Sequence, residues 1–178
     1  DLNLRAKPLA FAVVSGVRDI VTTVNYCRSN KIPIAVRGKG AHSPYGMASD
    51  AVVIDLMRMT AVRVDPEKKL AFIQAGADGG DIDHETALHN LICVTGSVSH
   101  TGFAGVALGG GLGHLSRWLG PAVDSIVGYE MVTAAGEVVR VDEAKDPELF
   151  WGMRGNGASF GIVTEFVVQL RDMPNGGI

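Results

Sequence analysis

The sequence predicts an α+β protein in which strands outnumber helices. Apolar runs of strand length recur along the chain, two pairs of them join through tight turns, and one strand–helix–strand unit is evident. Glycine is abundant, at 23 of 178 residues, and gathers at residues 38–46, 76–80, 96–113 and 152–161. Because glycine allows close backbone approach, these clusters indicate tight turns or backbone wrapped around a ligand.

The N-terminal elements follow from apolar spacing. A strand is predicted over residues 8–14, followed by a helix with Ser15 as its N-cap. The helix shows an apolar face at i, i+3, i+4 and i+7, formed by Val17, Ile20, Val21 and Val24. Buried strands are then predicted over residues 31–36 and 51–56, on either side of the first glycine cluster.

A hairpin is predicted over residues 61–76. Val62 and Val64 alternate with polar residues, "DPEK" forms the turn, and an apolar run returns. A short helix follows, capped by Asp81 and extending to Leu88.

The last elements repeat this alternation of hairpin, helix and strand. Residues 125–142 predict a hairpin with Gly136 in its turn. Asp146 and Pro147 predict the start of a short helix, as N-cap and first helical residue. A final strand is predicted over residues 161–170.

Composition excludes several classes of partner. The formal net charge is −3, without a basic footprint for nucleic acid or a polybasic membrane surface. No apolar run approaches the roughly 18 residues of a membrane helix, and the first residues do not form a signal peptide. We expect a soluble protein, either secreted or cytoplasmic. Cys27 and Cys93 lie in apolar contexts without metal-ligand spacing, so we expect buried inert thiols and no metal site.

The first glycine cluster begins with Arg37, Gly38, Lys39 and Gly40 directly after a strand. A dinucleotide fingerprint is disfavoured because Ser43 occupies its third glycine position and few residues remain before the next strand for a parallel crossover. A Walker loop is absent from the sequence. Two interpretations stay open: a nest of backbone amides for an anion such as pyrophosphate, and an ordinary surface turn.

Two further glycine clusters allow the same two interpretations, a ligand site or ordinary turns. Residues 95–120 combine eight glycines with apolar residues, which is not the composition of a flexible linker. A third cluster, "RGNGASFGIV", precedes the last strand. Three such loops beside strand ends are compatible with one long extended ligand or with three independent turns.

Together the motifs resemble the FAD-binding domain, of the PCMH type, of the vanillyl-alcohol oxidase and p-cresol methylhydroxylase superfamily. The pattern is most similar to berberine-bridge-enzyme-like and hydroxynicotine-oxidase-like oxidoreductases. The matching stretches cover nearly the whole chain in the family's order: "IPIAVRGKGAHSPYG", "VVIDLMRMTAVRVDPEKKLAFIQAGADGGDID", "TGSVSHTGFAGVALGGGLGHLSR", "VDSIVGYEMVTAAGEVV" and "DPELFWGMRGNGASFGIVTEFVVQL".

The resemblance implies one FAD-binding domain, residues 1–178, made of two α/β subdomains with FAD extended between them. These are an N-terminal subdomain, residues 1–55, and a larger one, residues 56–178. The first loop implies a pyrophosphate site, the second a contact along the flavin and ribityl chain, and the third backbone contacts to adenosine. The implied cofactor-binding residues are Arg37, Gly38, Lys39, Gly40, Ala41, His42, Ser43, Ser97, Val98, Thr101, Gly102, Gly105, Gly109, Gly110, Gly113, Gly161, Ile162 and Val163.

His42 is the residue that matches a covalent flavin ligand. In many relatives a histidine in the first loop is bonded to the flavin 8α-methyl group. Here the loop reads Arg-Gly-Lys-Gly-Ala-His, one residue longer than the usual pattern, with Ala41 inserted. A second link through cysteine is not expected, because the matching position is Val98 and Cys93 lies five residues too early.

The resemblance implies an FAD-dependent oxidase or dehydrogenase that passes a hydride from a small organic substrate to flavin N5 and electrons to oxygen. The alternative is a flavin-binding module or partner subunit without redox turnover. The family's substrate domain is absent from these residues, so a further domain or partner chain is implied, and the catalytic base stays unknown. His84 and His89 are expected to be solvated, and His100 and His114 to pack.

Overall fold

A computed structural model describes residues 6–40 and 48–174. Its strands, in chain order, are β1 (Ala10–Val13), β2 (Ile34–Arg37), β3 (Val52–Asp55), β4 (Val62–Asp65), β5 (Leu70–Gln74), β6 (Leu91–Ile92), β7 (Ile126–Val132), β8 (Val138–Asp142), β9 (Ile162–Gln169) and β10 (Arg171–Asp172). Its helices are α1 (Val17–Ser29), α2 (Gly79–Ala87), α3 (Phe103–Leu108), α4 (Ser116–Leu119) and α5 (Pro147–Asn156). This mixture confirms the α+β class.

The first three strands form a parallel sheet in the order β1-β3-β2. Residues 38–51 therefore connect two parallel neighbours, β2 and β3. The expectation that too few residues are present for a parallel crossover is wrong, because the connection starts at Gly38 rather than at Ser43. The dinucleotide fingerprint still lacks its third glycine, since Ser43 occupies that position.

Helix α1 covers this parallel sheet. Its buried residues are Ile20, Val24 and Cys27, so the predicted apolar face and the buried thiol are both confirmed. The predicted cap is wrong: Gly16 is the N-cap, without a side-chain cap hydrogen bond. Instead the Ser15 amide donates to the Asp19 carboxylate, 2.9 Å away, in the first turn of the helix. An acidic residue there also complements the helix dipole.

A five-stranded antiparallel sheet follows, in the order β4-β5-β9-β7-β8. Its inner face centres on a cross-strand row of Ile73, Phe166, Tyr129 and Val141, each no more than 2% exposed. Phe103 of α3 packs edge-on against Phe166, with ring centroids 5.2 Å apart. Such edge-to-face pairs add to the stability that area burial supplies. This packing anchors α3 and the adjoining glycines on the sheet.

Helix α2 begins one turn earlier than predicted. Asp78, not Asp81, is the N-cap, and the two form a reciprocal capping box in which each carboxylate accepts the other's backbone amide. Asp81 therefore stands at the third helical position. The predicted cap of α5 is confirmed, because Asp146 accepts from the Leu149 amide at 3.1 Å and Pro147 opens the helix.

Four of these helices and strands, α3, α4, β6 and β10, have no counterpart in the sequence prediction. Helices α3 and α4 lie in the glycine-rich residues 95–120, and β6 pairs with β10 in a two-stranded antiparallel sheet.

The predicted division into two subdomains between residues 55 and 56 stays a prediction. It falls between the parallel and antiparallel sheets, but one hydrophobic cluster includes Ile54 and Ile73 and so runs through both. Among the described residues, no helix is long and apolar enough to cross a membrane.

Candidate functional site

The first glycine turn, residues 38–40, follows β2 and folds back over an arginine. The Arg37 guanidinium lies 3.4 Å from the Asp55 carboxylate, its opposite neighbour on β3. Gly40 has a φ of 70°, and a Cβ there would collide with the Arg37 side chain. Glycine is therefore needed for this close return of the backbone. The charge of Arg37 already has a carboxylate partner.

Lys39 is also paired. Its ammonium lies 2.9 Å from the Asp78 carboxylate and 3.8 Å from that of Asp81. The hydrogen bond to Asp78 raises the pKa of Lys39 above its ordinary value, despite the opposing effect of burial. Each flanking cation, Arg37 and Lys39, is thus paired with a carboxylate. The predicted residues Ala41, His42 and Ser43 lie outside the described residues.

The second glycine segment closes on itself around α3. A Cβ on Gly113 would lie 2.6–2.8 Å from the backbone of Gly96, so the two ends of the segment touch backbone to backbone. The His114 amide donates to the Gly96 carbonyl at 3.4 Å. The His114 ring nitrogen Nε2 lies 3.0 Å from the Ser97 carbonyl oxygen. His114 is exposed, so the structure does not confirm that it packs, although its ring contacts the main chain of Ser97.

One side of this segment is open. Cβ atoms added to Gly105 or Gly110 would meet no described atom within 4 Å. Gly105 is exposed on α3, while Phe103, Ala104 and Ala107 of the same helix are buried. Gly109 ends the helix. The backbone here is accessible to a group that lies directly against it.

The third predicted loop offers backbone alone. Gly161 has a φ of 154°, and a Cβ there would lie 2.6 Å from the Val132 carbonyl oxygen. Ile162 and Val163 are 7% and 3% exposed, because their side chains lie in the core. The side chains of Ile162 and Val163 are therefore not available to a ligand, and main-chain contact of residues 161–163 with a ligand stays a prediction.

The structure brings the first two loops into contact. A Cβ on Gly102 would lie 2.7 Å from the Lys39 Cβ and 3.1 Å from its amide nitrogen. The segment is joined to the start of α2 by backbone hydrogen bonds from Gly79 to Thr101 and from Gly80 to Ser99. The third region approaches the second by a different contact, where Gly157 lies against Leu108 of α3.

Asp55 and Asp78 are site residues that sequence reasoning missed. Asp55 is the last residue of β3 and Asp78 caps α2, and nothing in the local spacing relates either residue to the glycine turn. Their role is visible only in the pairing of distant strands and loops. Asp124 and Arg154 form a separate ion pair, with the carboxylate and the guanidinium 2.9 Å apart.

The remaining titratable groups do not form a second centre. His84 is exposed and lies 3.2 Å from Glu85, and no group of three metal-ligating side chains occurs among residues 6–40 and 48–174. Burial raises the pKa of the Cys93 thiol to about 12, with a contribution from Asp83, which is consistent with an inert thiol. Burial likewise raises the pKa of Tyr129 to about 12.

Comparison with known proteins decides the family. A family model described as an FAD binding domain matches residues 8–142. The chain belongs to this family. Its membership in the superfamily of PCMH-type flavoproteins, predicted from the motifs, is confirmed.

Relatives and solved structures agree with this assignment. The chain is 39% identical over 170 residues to (R)-6-hydroxynicotine oxidase of Paenarthrobacter nicotinovorans, covering 94% of this chain and 37% of that protein. The crystal structure of 6-hydroxy-D-nicotine oxidase from Arthrobacter nicotinovorans superposes with a TM-score of 0.91 at 36% identity, over 96% of this chain and 38% of that one. Glucooligosaccharide oxidase from Acremonium strictum, with a 6-S-cysteinyl, 8α-N1-histidyl FAD, gives a TM-score of 0.91 at 30% identity over 98% of this chain and 38% of that one. The chain thus spans well under half of each relative's length.

The geometry fits FAD as the cofactor of the family. A pyrophosphate needs several hydrogen-bond donors at close range, and the Gly38–Gly40 turn supplies main-chain amides. A flat ring system needs close backbone approach, and the open side of Gly105 and Gly110 provides it. FAD is accordingly the cofactor of this domain.

Proposed function

We propose that this chain is the cofactor domain of an FAD-dependent oxidoreductase that acts on a small organic substrate. The observation that carries the proposal is the direct contact of two glycine loops, at Lys39 and Gly102, in a member of the FAD-binding family. A single extended ligand can therefore touch both loops, whereas three independent turns need not meet.

Each loop is assigned a binding task. The turn at residues 38–40 holds the pyrophosphate through amides, and the residues around Ser97, Gly105 and Gly110 form the surface for the flavin and ribityl chain. Main-chain atoms at residues 161–163 meet the adenosine end. The FAD held by these loops would supply the redox chemistry, namely hydride acceptance from the substrate and transfer of the electrons to oxygen.

The substrate is assigned only by class. Relatives include oxidases named for hydroxynicotine and for oligosaccharides, all small organic molecules. Tyr129 is excluded as a base by its burial, at 2% exposure, and by its raised pKa. We propose that groups which bind the substrate and accept its proton lie outside these 178 residues, in a further domain or a partner chain.

We further propose His42 as the covalent flavin ligand. It follows the pyrophosphate turn within two residues of Gly40. In forming the link, the His42 imidazole nitrogen would bond to the 8α carbon while that carbon loses one hydrogen and the imidazole its N–H proton. The electron pair would pass to the flavin itself, which oxygen would then reoxidise, and the link would raise the oxidising power of the flavin. The extra residue Ala41 adds one Cα step, about 3.8 Å, to the chain between Gly40 and His42. Detection of the covalent link would show that His42 reaches the flavin in spite of this insertion.

Purification followed by acid precipitation tests both proposals. We expect the purified protein to show flavin absorbance, and the colour to remain with the acid-precipitated chain. His42→Ala should release the flavin on precipitation, whereas His89→Ala, at an exposed histidine beyond the loops, should retain it. A colourless wild-type protein refutes flavin binding. If the wild-type protein releases its flavin on precipitation, the covalent link is refuted but flavin binding is not. If the protein binds flavin but no candidate substrate bleaches the flavin absorbance, the result favours a flavin-binding module without redox turnover.

A further inference from the structure

Lys39 reaches away from its own turn to the start of another helix. Its ammonium lies 2.9 Å from Asp78 and 3.8 Å from Asp81, which together form the capping box of α2. The Lys39 and Asp78 side chains are only 27% and 14% exposed. Ion pairs at this degree of burial are screened less than surface pairs.

The stem of Lys39 also occupies a specific place. It lies against Gly102, where any side chain would overlap its Cβ at 2.7 Å. Gly102 in turn forms an isolated antiparallel bridge with Asp78. Lys39 is thus the point where the first glycine turn, the start of α2 and the second glycine segment meet.

The charges at this junction do not favour an anion by themselves. One ammonium faces two carboxylates, so the Lys39, Asp78 and Asp81 group carries a formal excess of one negative charge. If Lys39 turned to a pyrophosphate, it would leave both carboxylates uncompensated beside the same ligand. The neighbouring Arg37 is likewise committed to Asp55.

We propose that Lys39 is a positioning residue, which acts through Asp78 to hold the glycine turn against the second glycine segment and does not contact the pyrophosphate. The inference rests on the proposed FAD binding and assigns the phosphate recognition to main-chain amides. A lysine in a phosphate-binding loop is usually expected to contact the phosphate. Here the charge of Lys39 is compensated by Asp78 within the protein.

Asp78→Asn separates the two roles of Asp78. Asparagine caps a helix about as well as aspartate, so α2 keeps its N-cap while the 2.9 Å ion pair is lost and only the longer contact with Asp81, at 3.8 Å, remains. If Lys39 positions the turn, FAD affinity falls, on the order of tenfold, within the usual range of coupling between sites. If Lys39 instead contacts phosphate, the substitution removes the nearer competitor for the ammonium and FAD binds as well or more tightly.

The experiment is a titration of the intact protein in a His42→Ala background, where binding stays reversible, with FAD and with riboflavin, which lacks the pyrophosphate. We expect Asp78→Asn and Lys39→Met to weaken FAD but not riboflavin, and Lys39→Arg to restore most of the FAD affinity. Asp146→Asn changes the matched N-cap of α5, which has no lysine partner within residues 6–40 and 48–174, and it should leave both affinities unchanged. Thermal unfolding checks that each variant is folded.

Two results overturn the inference while leaving FAD binding intact. One is unchanged or tighter FAD binding by Asp78→Asn, and the other is an equal loss for FAD and riboflavin. If the parent protein binds neither flavin, the proposed function fails and the inference fails with it.

Discussion

Gly105 provides a test in which stability and cofactor binding should move in opposite directions. It lies within α3 and is exposed, and an added Cβ would meet no described atom within 4 Å. Gly105→Ala therefore removes the entropic cost of glycine in a helix without a steric penalty. The apoprotein should gain about 0.5–1 kcal/mol, which corresponds to a rise in melting temperature of about 1–4 °C for a chain of this size.

The same methyl group should obstruct the flavin. If FAD lies directly against this open backbone, the added carbon overpacks the complex, at about 1–3 kcal/mol. This loss corresponds to an increase in Kd of about 5- to 150-fold. Differential scanning fluorimetry of the apoprotein and fluorescence titration with FAD measure the two effects on the same sample.

Thr22→Ala is the matched control for this substitution. Thr22 is exposed on α1, remote from the glycine loops, and alanine there also improves helix propensity. The control should raise stability and leave the Kd for FAD unchanged. A Gly105→Ala protein that is more stable and binds FAD normally would refute the placement of the flavin against α3.

Two further substitutions probe the backbone and the core. Gly113→Ala forces a Cβ to within 2.6–2.8 Å of the Gly96 backbone, so we expect a loss of about 1–3 kcal/mol in unfolding free energy. Gly109→Ala, where the nearest contact of the added Cβ is an ordinary 3.6 Å, should cost much less. Equal losses for the two variants would argue against the close approach of Gly113 to Gly96. Tyr129→Phe removes a buried hydroxyl that has no hydrogen-bond partner in the described structure, so denaturant unfolding should show a stability equal to or about 1 kcal/mol above the wild type, whereas a loss would reveal a partner for the hydroxyl.

The regular elements were predictable because each depends on local spacing. The alternation in residues 61–76 and 125–142 predicted hairpins, and the structure has β4 paired with β5 and β7 with β8. The order of strands was not predictable, because β9 enters between β5 and β7 from far along the chain. Non-local pairing leaves no trace in the spacing of neighbouring residues.

Helix α3 shows where composition misleads. Its sequence, "FAGVAL", is flanked by glycines that are typical of loops, and the segment has few helix signals. The helix forms because Phe103 packs on Phe166 and the Phe103 amide donates to the Ala77 carbonyl. Tertiary contact overrides weak local propensity here, and the same contact holds the open glycine surface in place.

The candidate site was predictable as a set of backbone positions but not as a set of charges. Glycine clusters beside strands indicated where main chain could meet a ligand, and the structure keeps that backbone open at Gly105. Arg37 and Lys39 were predicted to flank an anion site, and that role stays a prediction. Their carboxylate partners come from β3 and from the start of α2, so the balance of charge emerges only in the folded chain.

The pairing of Arg37 and Lys39 with carboxylates limits the charge that these residues can offer to the cofactor. Two cations paired within the protein contribute little unpaired charge to a ligand, so amide dipoles must carry most of the interaction with a pyrophosphate. Amides are fixed by the backbone and act only at short range, which makes recognition depend on the shape of the turn. A turn that must keep its shape needs contacts to hold it, and Lys39, Gly102 and Asp78 supply them. The lysine in this glycine loop thus serves recognition through geometry rather than through its charge.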